Sequence, residues 1–332
     1  MPKVSVVMPV FNGESYIGDS IRSVLAQEGA DLELIIVNDG STDGTLEVVE
    51  AFAKADDRLR VINRPNSGRP SFPKNDGLAA ARGEYLCFLD HDDLYDAERT
   101  RYLVEGLDQH PHWIAAFHDL RFIDSHGGAL PGTYLTNHDL LTHAKAYLTP
   151  MAGNWFECSE WFYVYQSLAA GALHTQSVLI AINRLPPNVV SFDTQFTICD
   201  DTDLWIRLGM QGKMGYLNRV LSSYRQHDTS ITRNAEKYLL DTVKVHRHNY
   251  DRVKSKLTNG QVRQLRRRIA ACISSVAYLY FQKLRLKEAR VAYSEAWFWS
   301  SGVTAFVGYL KTFIPKPVLL AVRQLQKRGQ AF

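Results

Sequence analysis

A short apolar run that ends in a cluster of carboxylates limits the folds that this chain can adopt. Residues 83–93 read GEYLCFLDHDD. An apolar run of this length, between a glycine and acidic residues, is typical of a strand buried on both faces of a parallel sheet. Ligands of open α/β sheets bind just beyond the carboxyl ends of such strands. The sequence therefore predicts a binding site at the acidic end of this run.

Asp90 and Asp92 are candidate metal ligands in that site. Alternate side chains of an extended backbone point the same way, so we expect the two carboxylates to face a common space. Hard oxygen ligands at the rim of a sheet suit Mg²⁺ or Mn²⁺ whose coordination is completed by substrate phosphates. The alternative is that Asp92, Asp93 and Asp96 only cap the next helix, but a cap needs one acidic residue rather than three.

Strands and helices alternate along the first ninety residues. Predicted strands cover 4–10, 32–37, 59–62 and the acidic-ended run, and predicted helices cover 15–27, 42–55 and 72–81. Strict alternation indicates an α/β fold with a parallel, right-handed, doubly wound sheet. Beyond residue 96 the pattern loosens into a helix over 98–109, short strands at 113–117, 121–124, 177–180 and 216–217, and a helix that begins at about residue 200.

Three residues at the ends of the first two strands suggest a nucleotide. Pro9 and Phe11 follow the first strand, and Asp39 follows the second. A planar base against Phe11, with a carboxylate that accepts a hydrogen bond from its ring N–H, fits this arrangement. Alone, Asp39 could equally be a turn residue in an Asn-Asp-Gly sequence. The sequence has no GxGxxG and no GxxxxGK[ST] motif, so a dinucleotide or P-loop site is unsupported.

A second acidic group and a late basic pair complete the candidate site. Asp200, Asp201 and Asp203 stand at the start of a predicted helix, where the helix dipole accounts for one or two of them. Asp201 could instead project into the crevice as a general base. Arg225 and His227 alternate after a short strand, which favours a shared direction and a role as phosphate contact or metal ligand.

In their order along the chain, these segments resemble the family 2 inverting glycosyltransferases, which have the GT-A fold. The matching segments are VVMPVFN at 6–12, VNDGSTD at 37–43, NDG at 75–77 with GEY at 83–85, LDHDD at 89–93, DDTDLW at 200–205 and YRQH at 224–227. Each segment alone is a weak signal, whereas the ordered set over roughly residues 3–230 is specific. The resemblance is to bacterial enzymes of the polysaccharide and lipopolysaccharide type.

The resemblance implies a nucleotide-sugar donor, most often UDP-linked, held by the nucleotide-binding half of the fold. Asp39 would hold the base beside Pro9 and Phe11, and Asp90 would contact the ribose side. The remaining donor contacts would come from Lys74 and Arg225, near the diphosphate. Such fixed donors stabilise a departing diphosphate electrostatically.

The resemblance also implies the chemistry. Asp92, with His227, would hold a Mn²⁺ or Mg²⁺ ion that bridges the diphosphate, and Asp201 would be the general base on a hydroxyl of a saccharide or lipid-linked acceptor. A general base contributes about 10²–10⁴-fold and a divalent ion acts as a Lewis acid. The sequence departs from the family pattern at four positions, which are Phe11 for tyrosine, Lys74 for arginine, His91 for a small residue and Asp200 for glutamate.

The charge of the chain is uneven and suggests a third region. We expect a nucleotide-sugar-binding half at 1–111, an acceptor-binding half at 112–234 and a basic helical region at 235–332. Residues 235–332 contain 19 Lys and Arg but 5 Asp and Glu, although the whole chain has a net charge of only +3. The apolar and basic pattern over 306–325 fits a helix on an anionic membrane surface or a helical domain that packs on the catalytic body. Nucleic acid is not expected as a partner, because no reading motif accompanies the charge.

Two other functions are alternatives to the glycosyltransferase. A phosphatase of the haloacid dehalogenase type also uses an Asp-x-Asp strand end, although there it normally ends the first strand and would leave Asp39 without a role. A non-catalytic sugar-nucleotide or membrane scaffold is the other alternative. The four cysteines form no CxxC pair, and residues 1–10 lack the features of a signal peptide, which predicts a cytoplasmic protein. If the basic tail lies on an anionic membrane rather than on the catalytic body, the protein would be peripheral on the inner face of the cell membrane.

Overall fold

The computed structural model describes residues 1–29, 31–168, 173–228 and 230–321. These residues form two compact units, one over 1–233 and one that begins at residue 234. The strands of the first unit are β1 Val4–Val10, β2 Leu32–Asn38, β3 Leu59–Asn63, β4 Tyr85–Phe88, β5 Leu94–Tyr95, β6 Trp113–Ile123, β7 Ala129–Thr133, β8 Leu148–Pro150, β9 Trp155–Cys158, β10 Val178–Ala181 and β11 Lys213–Arg225. Its helices are α1 Ile17–Leu25, α2 Thr45–Ala55, α3 Ser71–Ala80, α4 Arg99–Gln109, α5 Tyr134–Asn137, α6 Leu140–His143, α7 Phe162–Leu168 and α8 Asp200–Gly209.

The first four long strands form the parallel sheet that the sequence predicts. They lie in the order β3-β2-β1-β4, and every neighbouring pair among them is parallel. Every residue of β1, β2 and β4 is buried, which is why these strands are mostly apolar in sequence. Alternate residues of β1 serve opposite faces: Val6 and Met8 pack into one core cluster, whereas Val7 packs into the other. The prediction of a doubly wound, mostly parallel α/β sheet is confirmed.

Beyond β4 the sheet becomes mixed. β10 is inserted antiparallel between β4 and β6, β11 pairs parallel with β6, and β9 and β8 extend the sheet antiparallel at its far edge. Because β10 runs against β4, it begins at the edge where β4 ends. The sheet is continuous across residue 111, and the division into halves at 111 and 112 stays a prediction.

Two strands are longer than the sequence suggested. The strands predicted at 113–117 and 121–124 are a single strand, β6, and the segments around 216 and 220 are a single strand, β11, with irregular register near Val220. The sequence prediction failed because polar residues interrupt both runs. His118 and Asp119 are buried in the middle of β6, where Arg99 donates a hydrogen bond to His118 and the backbone N–H of Leu135 donates one to Asp119. Buried polar groups that are paired in this way fit inside a strand.

The second unit is helical as far as it is described. Its helices are α9 Ala235–Val253, α10 Asn259–Gln282, α11 Leu286–Ser300 and α12 Val303–Lys311. The chain breaks between α9 and α10 after Val253, and Thr258 starts α10 with a reciprocal capping box to Gln261. The arginines at 266–268 therefore lie inside α10 rather than at a helix end. The part of the predicted helix 306–325 beyond residue 321 lies outside the described residues, and none of the described helices has the length and apolar character to cross a membrane.

Candidate active site

The candidate site lies where the carboxyl ends of β1, β2 and β4 meet the start of β10 at one edge of the sheet. β1 lies between β2 and β4, and the N–H of Asp39 donates to the carbonyl of Val10 at 2.8 Å, so the ends of β1 and β2 are adjacent. This edge is the position at which open α/β sheets bind ligands.

The acidic segment after β4 forms a tight turn rather than an extended strand. The backbone N–H of Asp93 donates to the carbonyl of Asp90 at 3.1 Å. The strand ends at Phe88, so the premise that Asp90 and Asp92 alternate in an extended strand is wrong, and a common direction of their carboxylates stays a prediction. The turn instead brings Asp92 to His227, with 2.8 Å between carboxylate Oδ2 and imidazole Nε2. The two candidate metal ligands, Asp92 and His227, are thus adjacent in space although they are 135 positions apart in sequence.

The electrostatics of Asp92 favour the charged carboxylate. Burial raises its pKa, but the charge of His91 and the hydrogen bond from His227 outweigh this and hold the pKa below its usual value. An ionised carboxylate next to an imidazole at the rim of a sheet fits a hard divalent ion such as Mn²⁺ or Mg²⁺. Among the described residues no group of three or more His, Cys, Asp or Glu side chains forms a metal cluster. The two ligands therefore fit an ion whose other positions are filled by substrate phosphates and water.

Asp93 and Arg225 hold the acidic turn in place. The buried carboxylate of Asp93 accepts a hydrogen bond from the backbone N–H of Arg225 at 2.8 Å. Burial, and to a smaller extent the charges of Asp92 and Asp90, raise the pKa of Asp93 well above the usual value. The Arg225 guanidinium donates to the carbonyls of Asp92 at 2.9 Å and Ser125 at 3.2 Å. Arg225 thus joins two turns beside the site, and its contact with a diphosphate stays a prediction.

The three residues that are expected to contact the nucleotide base lie close together but differ in solvent exposure. Phe11 is 46% exposed just past β1, whereas Pro9 is buried inside β1 opposite Val37. Asp39 is buried, and its carboxylate accepts hydrogen bonds from Arg64 and from the Ser67 hydroxyl, each at 2.7 Å. Binding of a base to this carboxylate would need one of those hydrogen bonds to be exchanged, so the role of Asp39 stays a prediction.

Lys74 forms a buried ion pair that the sequence did not indicate. Its ammonium lies 3.2 Å from the carboxylate of Asp200 and 4.8 Å from the centre of the Phe192 ring. Burial raises the pKa of Asp200, and the charges of Asp201 and Asp90 raise it further. The charge of Lys74 lowers it, and the resulting pKa is about 6. The charges of Asp90 and Asp201 also act on Lys74. Lys74 therefore lies within a group of three aspartates.

Asp201 lies at the first turn of α8. Its Oδ2 accepts a hydrogen bond from the Thr175 hydroxyl at 3.3 Å, and its Oδ1 accepts the backbone N–H of Thr202 at 2.7 Å. The side chain is partly exposed, in contrast to the buried Asp200 beside it. Asp201 is thus the aspartate of this pair that a substrate can reach.

Sequence reasoning missed His174 and Thr175. They precede β10, and the charges of Asp201, Asp90 and Asp92 all act on the His174 imidazole. The sequence signal that could have located them is the apolar strand Val178–Ala181, but only if its antiparallel insertion next to β4 had been known. The charges of both acidic segments therefore reach His174.

The pKa of Asp200 predicts a pH dependence. Because this carboxyl titrates at about 6, its ion pair with Lys74 should be complete at pH 8 and largely lost at pH 5. We expect donor-dependent turnover to fall as the pH drops through about 6. The Asp200→Asn variant, which cannot ionise, should lack this inflection, and an unchanged pH profile in that variant would contradict the assignment. The folded-state pKa lies above the unfolded value of about 3.9, so this group's contribution to stability decreases as the pH rises through that interval.

The first half of the chain is similar to known sequences. Residues 5–154 match the model of the family described as glycosyl transferase family 2. An uncharacterised glycosyltransferase of Haemophilus influenzae is 32% identical over 159 residues, which are 47% of this chain and 60% of the relative. The glycosyltransferase GlyG of Streptococcus pneumoniae is 29% identical over 155 residues, 46% of this chain and 51% of GlyG. The chain spans about half the length of these curated relatives.

Solved structures share the fold over almost the whole chain. Residues 1–349 of TarS from S. aureus, in complex with UDP-GlcNAc, superpose with a TM-score of 0.58 at 17% identity, over 93% of this chain and 90% of that one. The mannosyltransferase PcManGT from Pyrobaculum calidifontis, in complex with GDP-Man and Mn²⁺, superposes with a TM-score of 0.57 at 16% identity, over 95% and 88%. Residues 5–154 therefore resemble glycosyl transferase family 2 in sequence, and the chain has the GT-A fold of these neighbours.

Proposed function

We propose that the protein is a metal-dependent, inverting glycosyltransferase that moves a sugar from a nucleotide sugar to a hydroxyl of a saccharide or lipid-linked saccharide. The observation that carries this proposal is the convergence at one sheet edge of the Asp92–His227 pair and the accessible Asp201. TarS was solved with UDP-GlcNAc and PcManGT with GDP-Man, which supports a nucleotide-sugar donor. We favour a UDP-linked sugar, because the family resemblance of the sequence most often implies UDP.

In this proposal Asp201 takes the proton of the acceptor hydroxyl. The acceptor oxygen forms a bond to the anomeric carbon from the face opposite the diphosphate, the bond between that carbon and the phosphate oxygen breaks, and a nucleoside diphosphate leaves. Asp92 and His227 would hold the divalent ion, which supplies Lewis-acid stabilisation of the leaving diphosphate. Lys74 and Arg225 add fixed positive charge close by, and Asp90 lies towards the ribose.

Hydrolysis of nucleotide sugars without an acceptor tests the proposal. UDP- and GDP-linked sugars are incubated with the protein in the presence of Mn²⁺, Mg²⁺ or a chelator, and the release of nucleoside diphosphate is measured. We expect slow release from one nucleotide class, only when a divalent ion is present. Absence of release and of binding for every nucleotide sugar would refute the proposal. Release of phosphate from simple phosphate esters, lost in Asp90→Asn, would favour a phosphatase instead.

We also propose that the helical unit contacts the inner face of the cell membrane, as a lipid-linked acceptor requires. α12 and the segments on either side of it expose several large apolar side chains: Trp297, Phe298, Val303, Phe306, Leu310 and Phe313. Phe298 and Val303 are 74% and 76% exposed. Residues 296–332 contain no Asp or Glu but five Lys and Arg. An apolar surface without acidic residues and with nearby lysines suits an anionic lipid headgroup layer.

Vesicle binding measures this contact. We expect the protein to co-sediment with vesicles that contain phosphatidylglycerol and less with pure phosphatidylcholine. Phe298→Ser combined with Val303→Ser should lower partitioning at least about tenfold, because burial of each such side chain contributes about 1.5–3 kcal/mol. Trp161→Ser is the matched control, since Trp161 is 49% exposed in the first unit. Equal binding by the double variant, or a concentration-dependent dimer that the double variant abolishes, would contradict the membrane contact.

A further inference from the structure

His174 has no part in the reaction proposed for Asp201 and the divalent ion. It precedes a short turn, residues 175–177, which leads directly into β10. Since β10 is antiparallel to β4 and Leu179 pairs with Cys87, this turn lies beside the chain that leaves β4 towards Asp90. The next residue, Thr175, donates its hydroxyl proton to Asp201. His174 is therefore placed between the two acidic segments.

The backbone around His174 is held firmly. The Ser177 hydroxyl donates to the His174 carbonyl at 2.9 Å, and the His174 N–H donates back to that hydroxyl at 3.2 Å. The fully buried guanidinium of Arg99 donates to the carbonyls of Gln176 at 3.0 Å and Val178 at 3.1 Å. A turn fixed by these hydrogen bonds presents its side chains in one position, as a binding site needs.

The His174 imidazole has aromatic neighbours but an unused polar atom. Its ring centre lies 4.8 Å from that of Tyr224 and 5.3 Å from that of Tyr134. Its Nδ1 is buried and has no hydrogen-bond partner among the described residues. A buried polar atom without a partner costs about 1–3 kcal/mol, so such an atom in a native structure calls for an explanation. A bound group with a hydrogen-bonding function would supply the missing partner.

The charge state of the imidazole limits what that group can be. Burial lowers the pKa of His174, and the charge of Lys74 lowers it further. The charges of Asp201, Asp90 and Asp92 raise it, but the pKa remains below its usual value. The ring is therefore neutral at neutral pH, with one nitrogen that donates and one that accepts. A hydroxyl group, which also both donates and accepts, matches a neutral imidazole better than a phosphate does.

We propose that His174 is a sugar-binding residue that hydrogen-bonds a hydroxyl of the pyranose at the point of transfer. This inference rests on the proposed transferase function and adds a contact that distinguishes the sugar from the nucleotide. The hydroxyl belongs either to the sugar of the donor or to the acceptor, and both have the same chemistry. Nucleoside diphosphate without a sugar should not involve His174.

Two variants and a control test the proposal kinetically. His174→Phe keeps a planar ring without polar atoms, His174→Gln restores a donor and an acceptor, and the exposed His143→Gln on α6 is the control. We expect His174→Phe to lower kcat/KM for transfer at least about tenfold, with the affinity for UDP unchanged and part of the loss recovered in His174→Gln. If the donor sugar is the ligand, acceptor-free hydrolysis falls equally. If the acceptor is the ligand, hydrolysis persists and the acceptor KM rises.

An NMR measurement gives a readout that does not depend on turnover. In protein labelled with ¹⁵N-histidine, the His174 ring resonances, assigned through His174→Gln, should shift on addition of an intact nucleotide sugar or a saccharide acceptor but not on addition of UDP. Unchanged kinetics in His174→Phe, or ring resonances that respond to UDP as strongly as to the nucleotide sugar, would overturn the proposal. A wild-type protein that binds no nucleoside diphosphate would instead refute the transferase function itself.

Discussion

Replacing Asp201 by asparagine should lower the rate of sugar transfer by about 10²–10⁴-fold, the range that a positioned general base contributes. The amide has the same shape as the carboxylate but cannot take the proton of the acceptor hydroxyl. Its oxygen can still accept the hydrogen bonds from the Thr175 hydroxyl and the Thr202 N–H. We therefore expect the loss to appear in kcat, with UDP binding and the melting temperature close to those of the wild-type protein.

The control for this substitution is Asp57→Asn, which makes the same chemical change at an exposed position after α2. It should leave turnover unchanged. Asp200→Asn is a second comparison, because it removes the neighbouring buried charge that pairs with Lys74. If Asp201→Asn retained turnover while Asp200→Asn abolished it, the general base would have been assigned to the wrong aspartate of the pair.

Asp92→Asn should remove the dependence of donor binding and turnover on a divalent ion. The amide oxygen can still meet the His227 imidazole, so the turn between Asp90 and Asp93 should persist. What disappears is the negative charge that attracts the cation, and a Lewis acid at a departing phosphate contributes several kcal/mol. We expect at least about a hundredfold loss of turnover at a fixed Mn²⁺ concentration, since each factor of ten is about 1.4 kcal/mol.

Asp228→Asn is the matched control for Asp92→Asn, because the Asp228 side chain is fully exposed one residue after His227. It removes a charge from the same part of the chain without touching the candidate ligands. Its turnover should respond to Mn²⁺ as that of the wild-type protein does. A similar loss in both variants would show that general electrostatics, rather than a ligand at Asp92, set the metal response.

The parallel half of the fold could be predicted because its determinants are local. β1, β2 and β4 are buried along their whole length, so that apolar runs bounded by glycine and acidic residues identified them. β10 could not be placed in this way. Its four apolar residues read as a strand, but its position between β4 and β6 depends on partners 61 or more residues away in sequence. The insertion brings His174 and Thr175 into the site, and both were missed for that reason.

The site residues themselves were easier to name than their partners. Asp92 and His227 were expected together, and the structure pairs them. No local motif indicated that Arg64 and Ser67 hold Asp39, because these are tertiary hydrogen bonds. The same is true of the hydrogen bonds from Arg225 to the carbonyls of Asp92 and Ser125. The strand was predicted to reach Asp92 because the apolar run gave no sign that β4 ends at Phe88 and is followed by a turn.

Calorimetric titration of UDP and GDP into the wild-type protein and into Asp92→Asn, each with Mn²⁺ and with a chelator, tests most directly whether the crevice binds a metal-bridged nucleoside diphosphate. We predict that one of the two nucleotides binds the wild-type protein, that the chelator weakens this binding at least tenfold, and that Asp92→Asn binds equally weakly with and without Mn²⁺. Binding of neither nucleotide, or binding that is the same with Mn²⁺ and chelator and in both proteins, would contradict this account.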